Sequence, residues 1–202
     1  MSEILYTLST GTDIVRDGAD TPQMGIEQKV ALIPTSNLDV FDATQFVKDG
    51  TYAKGRITDL VPSAAAFIWY GQKGMTTMNA GVRPRETPGR VGSEHFVSGL
   101  QLPTNDIAKT DLFNKWYYGG ETVFALIEKR QKGIDGEEAF WFVGGQHGLK
   151  ITNYNGDLNE SNGQDTFDLV TPDGLSEDWG LINFYKTSYP VSKTDVWVNK
   201  FA

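Results

Sequence analysis

The chain has 202 residues, of which 39% are hydrophobic and 22 are glycine, enough to bury a core without disulfides or a structural metal and too apolar for global disorder. Its 18 basic residues against 26 acidic ones leave a net charge of −8, which argues against a nucleic-acid grip or an anionic membrane surface. Zero Cys removes disulfide frameworks, thiolate nucleophiles and Cys-held metals, and two His leave little for a zinc site or a histidine relay.

The N-terminal stretch MSEILYTLSTGTDIVRDG carries Glu3 and has no basic region before a long apolar run, so no secretory signal is expected. No window approaches the roughly 18 apolar residues that span a bilayer. Beyond it, short apolar runs dominate: 29–34 (KVALIP), 65–70 (AAFIWY), 95–102, 123–128 (VFALIE) and 139–143 (AFWFV). Further runs lie at 149–152, 166–170, 181–185 and 195–198. Each is rich in β-branched or aromatic residues and bounded by turn formers, so each reads as a strand. Gly and Pro fall throughout the chain rather than at one boundary, which favours a single domain over 1–202.

One segment departs from this rhythm. Residues 104–118 (TNDIAKTDLFNKWYY) offer Thr104 or Asn105 as an N-cap, Asp106 in the first turn, and Ile107, Ala108, Leu112, Phe113 and Trp116 at helical spacing. Gly119-Gly120 supplies the stop. The spacing predicts a helix over about 105–118, with Phe113 and Trp116 packed on a sheet. The two strands that follow, 123–127 and 140–143, are apolar at successive positions, so neither face is obviously wet. A lone helix cannot cover both faces, and the uncovered face needs a second sheet or a neighbouring subunit. Between them, Lys132-Gly133-Ile134-Asp135-Gly136 reads as a hairpin loop with Asp135-Gly136 at its turn. The expected fold is therefore mainly β: an antiparallel β-sandwich or barrel with one flanking α-helix, and with a long loop at about 71–92.

Catalytic signatures are sparse. Gly71-Gln72-Lys73-Gly74 lacks the spacing of a phosphate-binding loop, and no dinucleotide fingerprint or nucleophile elbow occurs. His147, in Gly144-Gly145-Gln146-His147-Gly148, reads as a turn residue, since a general base needs an oriented partner and none is visible nearby. His95 opens a strand and reads as ordinary. The loop from Asn155 to Asp168 could offer oxygen ligands from Asp157, Asn159, Ser161, Asp165 and Asp168. Its glycine comes at the seventh position of a calcium loop rather than the sixth, and the twelfth is Asp rather than Glu, so a solvated loop is the reading. Glu137 and Glu138 are adjacent and would point to opposite faces of a strand. No catalytic, cofactor-binding or metal-binding residues are expected. The aromatics, 12% of the chain with five Trp, leave a carbohydrate-binding module as the rival reading, although Trp69, Trp141 and Phe142 sit inside apolar runs where burial is the default.

From Glu121 to Asp168 the order is an apolar strand after a helix (TVFALIEK), a strand ending in a glycine turn (AFWFVGGQHGLKIT), and an Asn/Gly/Asp-rich loop with another strand (NYNGDLNESNGQDTFDLV). This pattern resembles structural proteins of phage tails, those of Bacteroidetes phages in particular. The resemblance implies a tail-tube-type virion protein, assembled in the host cytoplasm and non-enzymatic. Its subunits would join into rings, typically hexameric, that stack into a tube conducting DNA without binding it specifically. It implies other virion tail proteins as partners, no membrane and no cofactor. A chain poor in Lys and Arg suits such a lumen, and head-to-tail stacking is the geometry that builds filaments.

The stretch 71–92 (GQKGMTTMNAGVRPRETPGRVG) shows no strand or helix pattern, and loops beyond about 12–15 residues are usually functional or disordered. Lys73, Arg83, Arg85 and Arg90 against Glu86 make it net +3 in a chain of net −8. One reading makes these four residues a subunit interface that engages acidic surface on the next ring. The other makes it a mobile surface loop whose charge is incidental.

Overall fold

The computed structural model describes residues 26–52, 55–71, 78–87, 90–102, 107–155 and 165–201. A large sheet takes β1 (Ile26–Pro34), β2 (Phe46–Lys48), β3 (Arg56–Leu60), β4 (Phe67–Tyr70), β7 (Val123–Lys129), β8 (Phe140–Val143) and β11 (Ile182–Phe184) in the order β2-β3-β11-β8-β7-β1-β4. A small sheet takes β5 (Asn79–Thr87), β6 (Arg90–Leu102), β9 (Lys150–Asn155) and β10 (Asp165–Val170) in the order β5-β6-β10-β9. Pairing is antiparallel except between β11 and β3. The helix α1 (Ile107–Tyr117) lies between β6 and β7 in the chain. The fold is thus mainly β, two sheets with flanking helices, as the sequence predicts.

The strand period of two, with a core on each face, explains the unbroken apolar runs 30–33 of β1 and 123–127 of β7. Val30, Leu32, Ala125 and Ile127 face the small sheet, where Val97, Leu100, Phe167 and Leu169 meet them beside Phe113 and Trp116 of α1. Ala31, Ile33, Phe124 and Leu126 face the other way, into a second core. That second core is closed by Leu38, Val40 and Phe46 on one side and by Val196 and Phe201 near the C-terminal end on the other. Both faces of the large sheet are therefore covered within one chain. The apolar runs that pointed to a second sheet or a neighbouring subunit are answered by the second sheet and a second helix. Each fully buried aliphatic side chain here contributes on the order of 1.5–3 kcal/mol.

That second helix corrects the expectation of a single one. Residues 195–198 do not form a strand: α2 (Tyr189–Thr194) continues into a π-helical turn over Asp195–Asn199. Ser188 caps α2 by accepting the Val191 N–H at 3.4 Å, and Pro190 fits the first turn. Lys200, in the left-handed region at φ 56°, ends it.

A second correction concerns 71–92. Residues 79–87 and 90–102 form the longest hairpin among the described residues, paired from Asn79↔Ser98 to Thr87↔Arg90. Gly81, Pro84 and the arginines break the apolar alternation that would have announced it. Pro84 is tolerated because β5 is the outer strand of its sheet and needs no donor on its open side. Gly81 lets the Phe96 ring approach to 3.3 Å of where a Cβ would stand. The Lys132–Gly136 hairpin loop stands where predicted, with Asp135 and Gly136 both at positive φ, 55° and 75°.

Candidate functional site: the basic hairpin and its strap

β10 pairs with β6 only over residues 96–102. The outer half of β6, from Arg90 to His95, pairs with β5 on one side. On its other side runs the segment 171–179, a strap held by the Ser93↔Glu177 bridge and by the Thr171 N–H to the His95 carbonyl at 3.0 Å.

Of the four residues expected to form an interface, two come together here. Arg83 and Arg85 flank the Glu94 carboxylate at 3.8 and 3.7 Å. Their roles then diverge. Arg85 is 21% exposed and is turned inward, with Nη1 donating to the carbonyls of Pro172 at 3.2 Å and Leu175 at 3.0 Å, and Nη2 3.4 Å from Asp173. Its planar fork staples the strap to the hairpin. Arg83 is 63% exposed, stacks 4.2 Å over the Phe96 ring and presents its charge to solvent. Arg90 opens β6 opposite Thr87, and its side chain lies outside the described residues, as does all of Lys73.

Sequence reasoning passed over the buried polar pair under the strap. His95 is fully buried. Its Nδ1 accepts the Gly144 N–H at 3.1 Å, which leaves Nε2 as the donor to the Trp179 carbonyl at 2.7 Å. Burial pushes the imidazole below its ordinary pKa, against the Trp179 bond, which favours the charged ring. Glu177, 1% exposed, accepts the backbone N–H groups of Gln146 at 2.5 Å and His147 at 3.3 Å. Burial raises its carboxyl, and those two bonds only partly offset the effect. Gly145, at φ 52°, is required there because a Cβ would stand 2.2 Å from Glu177 Oε2. The run Gly144-Gly145-Gln146-His147-Gly148 was the available signal. His147 itself is exposed, as expected of a turn residue.

A second polar cluster lies under α2. Glu128, 2% exposed, accepts from Tyr189 Oη at 2.5 Å, Trp197 Nε1 at 2.8 Å and Lys132 Nζ at 2.9 Å. With its oxygens taken by three donors, the carboxylate anchors the helix rather than offering a base. Glu137 and Glu138 pair separately with Arg56 and Lys129, at 2.5 and 3.6 Å, so they form no acid–base couple. A cleft of about 260 Å³ is lined by Leu102, Phe113, Asn114, Tyr118, Tyr154 and Asp165. In it the Tyr154 hydroxyl donates to Asp165 at 2.9 Å, and burial together with that carboxylate pushes the phenol up to about 12.

Within the loop considered for calcium, residues 156–164 lie outside the described part. Its described carboxylates have protein donors: Tyr154 on Asp165, and the Gly99 N–H and Asn153 on Asp168 at 3.0 and 2.9 Å. Among the described residues no group of three or more His, Asp or Glu is placed to hold a metal, and no helix is long and apolar enough to cross a membrane. No protein-family model, curated protein or solved structure matches the chain.

Proposed function

We propose that the protein is a virion structural subunit of the phage tail-tube type, assembling with itself into stacked rings around a DNA-conducting lumen. The observation that carries this reading is the β5–β6 hairpin. Its outer strand β5 is nine residues long and, among the described residues, pairs with β6 alone. Such an edge is a template for a strand from another copy, and closing edges into a ring is one way proteins manage them. Arg83 stands on that strand with its charge exposed, on a chain whose remaining surface is acidic on balance. A cationic strand on an acidic body is self-complementary and steers one copy onto the next.

The engagement of Arg85 within its own chain leaves Arg83 and Arg90 of the hairpin, with Lys73 before it in the sequence, as the interface cations. Arg83→Glu with Arg90→Glu therefore tests the reading. Sedimentation at low ionic strength is expected to show large assemblies for the parent chain and monomers for the variant, with unchanged melting of the monomer. Assemblies of equal size in both would remove the hairpin from the interface. A carbohydrate-binding module remains the second reading, favoured by Tyr118, which is 77% exposed beside Asn114 and Asp165 at the cleft. Against it, Trp69 and Trp116 are buried, and Trp141, Trp179 and Trp197 are only partly exposed.

A further inference from the structure

His95 has both ring nitrogens committed to backbone, and the two commitments need opposite chemistry. Nε2 must carry a proton to serve the Trp179 carbonyl, and Nδ1 must lack one to receive the Gly144 N–H. Only the neutral ring in one tautomer satisfies both. A second proton would set an N–H at Nδ1 against the Gly144 N–H 3.1 Å away, inside a site without solvent access. The Gly144 amide would then be left unpaired and buried, a loss that forces the turn to move.

We propose that His95 is a proton-operated latch: protonation at Nδ1 releases the turn 144–148 from the β5–β6 hairpin while the two cores stay folded. The strap keeps its own ties to the hairpin, through Arg85 at Pro172 and Leu175 and through the backbone pairs of Thr171 with His95 and of Glu177 with Ser93. The Ser93 hydroxyl is shared between the Glu177 and Trp179 carbonyls at 3.2 and 2.9 Å, and the Glu177 side chain reaches the turn through Gln146 and His147. The charged ring keeps its bond to the Trp179 carbonyl, so the turn, and not the strap, is what the second proton sets free.

The ionisable groups around the ring do not duplicate its response. Glu94, the neighbour on its own strand, and Arg83 and Arg85 of β5 pair with one another. Asp173 of the strap is engaged by Arg85 and is exposed. His147 of the turn is exposed; its backbone N–H bonds Glu177, and its charge acts to favour the ionised form of that carboxyl. Glu177 works in the opposite sense, since a buried carboxyl with a raised pKa takes up its proton more readily in the folded chain, so acidification relieves rather than breaks its burial. Among these groups, release of the turn on acidification belongs to His95.

Hydrogen exchange of the full chain, followed by mass spectrometry at about pH 7.5 and about pH 5 and corrected for intrinsic rates, tests this. At the lower pH, peptides over 142–150 are expected to lose protection by about tenfold or more, while the strap, β1 and β7 keep theirs. His95→Gln keeps one donor and one acceptor but cannot titrate, and is expected to hold the turn equally at both pH values. Glu177→Gln is expected to retain the pH response. Nitrogen chemical shifts of the His95 ring in the parent chain guard against a His95→Gln chain that fails to fold, because ring protonation and the Gly144 amide shift must then share one midpoint. Turn protection independent of pH, a loss spread evenly over β1 and β7, a pH response surviving in a folded His95→Gln, or a ring that titrates without moving Gly144 would each overturn the latch.

Discussion

At Glu128 three donors from three places in the chain, Lys132, Tyr189 and Trp197, converge on one buried carboxylate. Burial opposes ionisation there, but the bonds from Tyr189, Lys132 and Trp197 outweigh it and hold the carboxyl below its ordinary value of 4.5. The sign of the pH dependence follows. A carboxyl whose folded pKa is depressed gives its full stabilisation above the unfolded value, and loses it as pH falls through the folded one. Glu128→Ala leaves Tyr189 and Trp197 without their acceptor and is expected to cost about 2–4 kcal/mol by urea unfolding at neutral pH. The same variant should lose less stability than the parent on going from pH 5 to pH 3, about one proton's worth of the acid limb. An equal acid limb in both chains would show that folding does not depress the Glu128 pKa, and a shallower limb in the parent would show a carboxyl kept neutral in the folded chain. Gly145→Ala meets a different obstacle: its positive φ and the Glu177 oxygen both exclude a methyl group, and a loss of at least about 1 kcal/mol is expected in the same assay.

Among the elements, the hairpin and its strap divide labour between two neighbouring arginines. Arg85→Ala removes donors from two carbonyls of the strap and is expected to lower stability by about 1–2 kcal/mol. Arg83→Ala, at an exposed position, should stay within about 0.5 kcal/mol in thermal unfolding. Equal losses would mean that the strap is not held by Arg85. How far these elements were legible depended on how strongly each was patterned. The strands at 123–128 and 139–143 announced themselves because burial on both faces made them continuously apolar, and α1 because its apolar spacing ran into Gly119-Gly120. The β5–β6 hairpin did not, because an outer strand bearing Gly81, Pro84 and two arginines carries no apolar alternation and is held by its partner's backbone. The 195–198 segment misled for the opposite reason: Val196-Trp197-Val198 has strand composition, and the Ser188 cap with Pro190 was the competing signal. The basic residues were visible as a cluster, but only the fold separates Arg83 from Arg85, and nothing local in the sequence marks His95 and Glu177 as partners of one turn.

For the whole molecule, the large sheet wears its small companion and α1 on one face and α2 with the 38–46 segment on the other, so the cores are complete within one chain. Among the described residues, what the proposed assembly would use is the β5 edge and its charge pattern. A chain of net charge −8 is expected to show no measurable affinity for duplex DNA at about 0.15 M salt, and salt-sensitive micromolar binding in a gel shift would contradict passage of DNA through a ring of these subunits. The most direct test of the assembly reading is negative-stain microscopy of the purified chain at high concentration and low salt. Rings with a central channel, or tubes of stacked rings, are the predicted result. Monodisperse single subunits under those conditions, with glycans retained on a carbohydrate array, would contradict it.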